Sequence, residues 1–175
     1  MATNLQFIKE TSTTSNVSTL SVADCFTSQY KVYQCILQVD EVGTEIAIET
    51  RLLNSSGAVT SSNYDHAVEF MRVGSGSYSE GSNENNDKWQ FTMYNEEAKG
   101  GFYVMYVYNP SDSSTFTFAN WQMASTYLAS STRVLMTRKG IGVLKVAEAH
   151  TGIQVYGLSS NITKAKLTVY GLESI

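Results

Sequence analysis

"TGIQVYGLSSNITKAKLTVYGL", residues 151–172, holds one phrase twice: Val155-Tyr156-Gly157-Leu158 and, fourteen residues later, Val169-Tyr170-Gly171-Leu172. Gly152 to Leu158 and Ala165 to Leu172 are strand-length runs, and the polar turn Ser159-Ser160-Asn161 joins them. The repeat reads as two adjacent strands that end alike. Each glycine lets the chain bend where a tyrosine packs against a sheet edge. This is construction of a sheet, with no chemistry in it.

Outward from there the same grammar recurs. Leu5 to Glu10, Val17 to Phe26 (interrupted by a bend), Tyr30 to Val39, Glu45 to Leu53, Lys88 to Tyr94 and Gly101 to Asn109 are strand-sized. Thr115 to Trp121, Arg133 to Thr137 and Gly142 to Ala149 follow. Tyr33, Cys35, Leu37 and Val39 share one face of their strand. Ile46, Ile48, Thr50 and Leu52 oppose Glu45, Ala47, Glu49 and Arg51. Trp89, Phe91 and Met93 oppose Gln90 and Thr92. Gly101 to Asn109 is apolar on both faces, as suits a central strand, and stops at Asn109-Pro110, the only proline. Asn54-Ser55-Ser56-Gly57 is a turn, and the Asn/Ser-rich stretch Ser75 to Asp87 reads as a surface loop. No stretch has a helical period; Tyr94 to Lys99 fits one turn at most. About ten to twelve short strands joined by polar loops predict an all-β, antiparallel, jelly-roll-like sandwich in a single domain, residues 1–175.

Composition agrees. The 175 residues include 11 Tyr, 7 Phe and 2 Trp, with only 16% charged, a profile suited to pleated surfaces. Area scaling gives a chain of this size a core of about 70% of its surface, without need of a disulfide or metal. Net charge is −4 with no basic cluster beyond Arg133, Arg138, Lys139 and Lys145, which excludes nucleic acid as an expected partner. The longest apolar run, Gly101 to Tyr108, is strand-sized, so no membrane insertion is expected. Met1 to Leu5 lacks the charged and apolar regions of a secretion signal, and the expectation is synthesis in a cytoplasm. Asn16, Asn54 and Asn161 fit the glycosylation sequon, which in that compartment is chance.

Catalytic chemistry is hard to assemble. Gly74-Ser75-Gly76 with Gly81 lacks the strand, helix and Lys-Ser or Lys-Thr of a phosphate loop. Asp65 and His66 are neighbours, so on a strand they point apart; Glu148 and His150 share a face and read as an exposed polar pair. Asp40, Glu41 and Glu45 near Gly43 lack the alternating spacing of a calcium loop. Cys25 and Cys35 match neither a zinc knuckle nor a redox pair, and Cys35 reads as a small buried hydrophobe. Glycoside hydrolysis needs two carboxylates facing across a cleft, and nothing selects a pair. No catalytic, metal-binding or cofactor-binding residue is therefore expected, and no enzyme.

Two groups of apolar residues remain. Tyr103, Tyr106, Tyr108, Trp121 and Tyr127 suit a sugar-binding face, where rings stack on sugars, but ordinary sandwich core or a subunit interface is the favoured reading of the same residues at the same spacing. Leu5, Phe7 and Ile8 at one end and Tyr170, Leu172 and Ile175 at the other are terminal-strand residues that a neighbouring subunit can cover. Internal pairing of the two termini fits them equally.

Three stretches resemble a known group. "LQFIKETSTTSNVSTLSVADCFTSQYKVYQCILQ" (residues 5–38) is similar to the opening of small virion proteins of tailed, especially marine, phages, with their "VSSLSVTDVFSADYDVY"-like segment. "RLLNSSGAVTSSNYDHA" (51–67) resembles their "RLIDSSGTVISGSNYDYA" element, with His66 where an aromatic is commoner. "GIQVYGLSSNITKAKLTVYGL" (152–172) resembles the "GIRFYSSSGNITSGTIKLYGI" ending of phage fibre, collar and decoration proteins. The resemblance implies a jelly-roll structural protein located in the virion: a capsid decoration, collar or short fibre component. It implies a homo-oligomer, commonly a trimer, with other virion proteins as partners. The alternative is a carbohydrate-binding receptor-recognition module of a tail fibre or tip, with a host-surface glycan as partner. The chain lacks the heptads, Gly-X-Y stretch and long repeat of a fibre shaft.

Overall fold

A computed structural model describes residues 4–42, 47–73, 78–90, 100–129 and 132–172. Among them there are thirteen strands and no helix. These are β1 (Leu5–Thr13), β2 (Thr19–Val22), β3 (Val32–Val42), β4 (Ile48–Asn54), β5 (Gly57–Ala58), β6 (Tyr64–Arg72) and β7 (Tyr78–Asn86). Then come β8 (Trp89–Gln90), β9 (Gly101–Tyr108), β10 (Thr117–Ala129), β11 (Thr132–Leu144), β12 (Gly152–Gly157) and β13 (Ile162–Leu172). They form an eight-stranded sheet in the order β1-β13-β3-β9-β10-β11-β6-β7 and a five-stranded sheet in which β2-β12-β4-β5 is extended by β8 on β4. The expected all-β antiparallel sandwich is present.

Alternation places the core between the sheets. Tyr33, Cys35, Leu37 and Val39 of β3 are buried together, facing Leu52 of β4 and Ile153 and Val155 of β12 within one cluster. Tyr64 and Trp89 meet edge to face at 5.2 Å, and Trp89 continues to Trp121 at 6.5 Å. Each such side chain contributes roughly 1.5–3 kcal/mol by leaving water.

Four expectations are corrected. The repeated Val-Tyr-Gly-Leu strands are consecutive but do not pair. β12 lies between β2 and β4 in one sheet and β13 between β1 and β3 in the other, so the turn between them passes from one sheet to the other and neither is a sheet edge. Gly171 serves space: a Cβ there would lie 2.5 Å from Cδ2 of Tyr30. Ser75 to Asp87 is largely strand: β7 pairs with β6 from Tyr78 to Asn86, and as an edge exposed on both sides it needs no apolar alternation. Arg133 to Thr137 and Gly142 to Leu144 belong to one strand, β11, which runs straight through Arg138-Lys139-Gly140 beside β10, while Lys145 to Ala149, expected to continue the second strand, lie outside it. β10 starts at Thr117 and continues past Trp121.

The expected bend after Val17 is present. Val17 bridges Ile162 outside the strands, β2 covers only Thr19–Val22, and Asp24 has φ 54°. Glu45, Ile46, the glycines and serines at 74–76, Phe91, Met93 and the segment 94–99 lie outside the described residues.

Candidate functional site

The outer face of the eight-stranded sheet is built by register. In β9, Tyr103, Met105 and Val107 point into the core, so Phe102, Val104, Tyr106 and Tyr108 point out. Cross-strand pairing lines them up with outward residues of neighbouring strands. Tyr106 stands between Gln34 of β3 and Asn120 of β10, and Tyr108 between Val32 and Phe118. Asn120 is followed by Ile141 of β11 and Ala67 of β6. Eleven large apolar side chains are exposed among the described residues. Eight of them, Leu5, Phe7, Met71, Tyr78, Phe102, Phe118, Leu135 and Ile141, lie on this face, and the other three, Val73, Phe116 and Leu158, lie outside strands.

The face divides into two zones. One row runs Phe102, Ala124, Thr137, Met71, Tyr78 across five strands, about 19 Å at ~4.8 Å per strand, with Leu135 beside it opposite Thr126. It holds no carboxylate or amide, although Tyr78 is hydrogen-bonded to Glu69, a bond that raises the pKa of the phenol. The second zone is polar and aromatic. Gln34 Nε2 donates to the Tyr106 hydroxyl at 2.7 Å, and Asn120 Nδ2 donates to the Tyr108 hydroxyl at 2.9 Å. A depression of about 510 Å³ lies against Gln34, Tyr106, Asn120, Gln122 and Lys139. One of about 580 Å³ adjoins it at Asn120 and reaches Tyr108, Phe118 and Asp65. A third, about 670 Å³, continues past Lys139 to Glu69 and Glu80. Together they make an open trough.

Of the aromatic candidates, Tyr106 and Tyr108 line this trough. The rings of Tyr103 and Trp121 do not face it: both residues are buried at 2–3% exposure, because they have the inward parity of β9 and β10, and Trp121 borders the depression over Tyr106 without presenting its indole there. Tyr103 reaches toward Thr50 across the core, and Trp121 lies under Gly140. The side chain of Tyr127 lies outside the described residues. Phe102, Phe118, Gln34 and Asn120 were not anticipated; only their register with Tyr106 and Tyr108 marks them.

At the chain ends, β1 pairs antiparallel with β13, Leu5 opposite Leu172 and Phe7 opposite Tyr170. The rings of Phe7 and Tyr170 meet edge to face at 5.9 Å. Leu5 and Phe7 remain exposed on the outer free-edge strand, Ile8 is half-buried at a bulge and packs on the core, and Tyr170 and Leu172 are half-buried. Ile175 lies outside the described residues.

The titratable groups are engaged elsewhere. His150 was expected at the surface beside Glu148, but it is buried at 1% exposure. Its backbone N–H donates to Pro110 O at 2.7 Å, which draws the segment after β11 inward. Its Nδ1 is 3.0 Å from Thr117 Oγ1 and its Nε2 is 3.3 Å from Glu148 Oε1. Burial lowers the His150 pKa while the Glu148 carboxylate opposes that shift. Hydroxyl, imidazole and carboxylate in sequence resemble a nucleophile and its base, but Thr117 is fully buried, so no substrate reaches it. Asp65 and His66 point apart as expected. Asp65 pairs with Lys145 at 2.8 Å, which lowers its pKa, and His66 turns inward, its Nε2 3.4 Å from Asn83 Nδ2.

Glu49 was assigned to a polar outer face, yet it is fully buried, and that burial pushes its pKa up to about 8. Beside it Arg51 pairs with Asp87 and lies 4.6 Å over the ring of Tyr156, and Lys88 pairs with Asp87 at 2.9 Å. Cys25 and Cys35 are buried thiols, Cys25 pushed up to about 12 by desolvation. Asp40 lies 3.7 Å from Lys164. Among the described residues no three His, Cys, Asp or Glu side chains gather into a metal-sized cluster.

No family model matches this chain, and no curated protein matches it. Among solved structures it is similar to the GH43 protein BlXynB of Bacillus licheniformis (10% identity, 82% of this chain, TM-score 0.27), and it spans 28% of that protein's length. It is also similar to the alginate lyase Aly36B (7% identity, 95% of this chain and 81% of that one, TM-score 0.28). A third is the galectin LEC-6 of Caenorhabditis elegans (10% identity, 97% and 89%, TM-score 0.25). Scores of this size carry no argument about function.

Proposed function

We propose that this protein is a non-enzymatic structural component of a tailed-phage virion that assembles through protein–protein contacts. The observation that supports it best is the row of Phe102, Met71 and Tyr78 with Leu135 beside it, four exposed large apolar side chains on one sheet face. Soluble monomers rarely leave such a contiguous patch open, so a protein surface covers it in the working assembly. The docking zone is the row from Phe102 to Tyr78 with Leu135, a row without carboxylate or amide. Its occupant is another copy of the chain, in keeping with the homo-oligomers implied by the resemblance of residues 5–38, 51–67 and 152–172 to small virion proteins. The non-enzymatic part of the reading rests on the partners that His150, His66 and Asp65 have within the fold and on the full burial of Glu49.

Light scattering over a concentration series tests this reading. The wild type forms a discrete oligomer at micromolar concentration and Leu135→Glu, on an exposed site, shifts it to monomer. A wild type that stays monomeric throughout contradicts it. A second reading, a carbohydrate-binding receptor-recognition module, is favoured by the hydrogen-bonded pairs Gln34–Tyr106 and Asn120–Tyr108 in the other zone.

A further inference from the structure

We propose that the tyrosine–amide zone binds a segment of a neutral polysaccharide, laid in the open trough over Tyr106 and Tyr108. This rests on the carbohydrate-binding reading and goes beyond it by fixing the ligand's charge class and its contacts. The two tyrosines occupy successive outward positions of β9, about 6.8 Å apart along the strand. Each hydroxyl is held by an amide from a flanking strand, at 2.7 Å from Gln34 and 2.9 Å from Asn120. The rings are therefore oriented before a ligand arrives, which lowers the entropy cost of binding. An amide that donates through nitrogen keeps a carbonyl to accept with, and a phenol that accepts keeps its O–H to donate. Phe118, 51% exposed and paired with Tyr108, adds an apolar ring. Donors and acceptors thus alternate with apolar ring faces over a short distance. A pyranose presents the same alternation, with hydroxyls around its rim and C–H groups on its face.

Charge sets the class. Within the depression over Tyr106 the polar side chains are the amides Gln34, Asn120 and Gln122 and one ammonium, Lys139, which stands opposite Glu69 in the strand register. The carboxylates Asp65, Glu69, Glu80 and Glu84 line the adjoining part of the trough. An anionic chain laid along it meets like charge at those positions, and a neutral one does not. The trough is open along the face, so it admits an internal segment of a chain. Binding per site is weak and gains strength from several copies on one particle.

Affinity electrophoresis of the intact protein tests this, in native gels containing dextran, laminarin, mannan or galactan, or the anionic alginate or pectate. At least one neutral polysaccharide retards the wild type, and the apparent affinity falls at least fivefold in Tyr106→Ala and in Gln34→Ala. Circular dichroism melting shows whether each variant remains folded, and Gln34 makes no core contact whose loss would unfold the chain. Retardation by the anionic polymers only overturns the charge class and leaves the carbohydrate-binding reading standing. Retardation by none overturns both, and retardation that neither variant weakens overturns the site over Tyr106 and leaves the carbohydrate-binding reading standing.

Discussion

Gly140 of β11 lies directly opposite Trp121 of β10, and a Cβ at Gly140 would stand 2.3 Å from Cε2 of the indole. Two positions on, a Cβ at Gly142 would stand 2.5 Å from Nε1 of Trp89. The two largest side chains of the core occupy space that β11 leaves by omitting its own. Both glycines look like turn signals in the sequence, and both lie inside a strand.

Gly140→Ala is therefore expected to destabilise the fold by about 1–3 kcal/mol, the cost of overpacking a filled core. Denaturant unfolding followed by tryptophan fluorescence measures it. Gly57→Ala is the comparison: a Cβ there meets nothing within 4 Å, and any cost comes from its φ of 118° alone.

Glu49 gives stability a pH dependence. Its folded pKa, about 8, lies above the usual carboxylate value of 4.5, so the folded state holds the proton more tightly. That contribution is fully present below about pH 4.5 and is lost as pH rises through 8. Glu49→Gln removes the loss, and the variant gains on the wild type between pH 5 and pH 8 by roughly 3 kcal/mol or more. Urea midpoints of both proteins at the two pH values check it. A constant difference would refute it.

His150 acts in the opposite sense. Burial depresses its folded pKa below the usual value of 6.5, so its contribution is present above 6.5 and is lost as pH falls toward the folded pKa. Imidazole nitrogen chemical shifts followed through a pH titration should show His150 taking up its proton below the usual value of 6.5. His150→Ala should cost about 2 kcal/mol or more by leaving a cavity and stranding the Thr117 hydroxyl.

The sequence carried the layered architecture and much of the core, and particular residues show why it stopped there. Tyr33, Cys35, Leu37 and Val39 were legible as an inward face because the residues between them are mostly polar. Residues 101–108 are apolar on both faces, so nothing in that run tells Tyr103, which points in, from Tyr106, which points out. β7 carries no apolar alternation because an edge strand exposed on both sides needs none, and it reads as a loop. A turn such as Ser159-Ser160-Asn161 serves a hairpin as well as a crossing between sheets, so the separation of β12 from β13 was hidden. Glu49 alternates correctly, but its burial depends on what covers the outer side of its sheet, which is long-range information. The trough was half visible: Tyr106 and Tyr108 stood out, while Gln34 and Asn120 enter only through register.

The central claim is that the apolar row of the eight-stranded sheet is covered when the protein assembles. Hydroxyl-radical footprinting read by mass spectrometry, comparing dilute with concentrated wild-type protein, tests it most directly. Met71, Tyr78, Phe102 and Leu135 should lose at least half their oxidation on concentration, while Phe116 and Leu158, exposed outside the strands, keep theirs. Equal oxidation of all six at both concentrations, or protection confined to Phe116 and Leu158, would contradict the account.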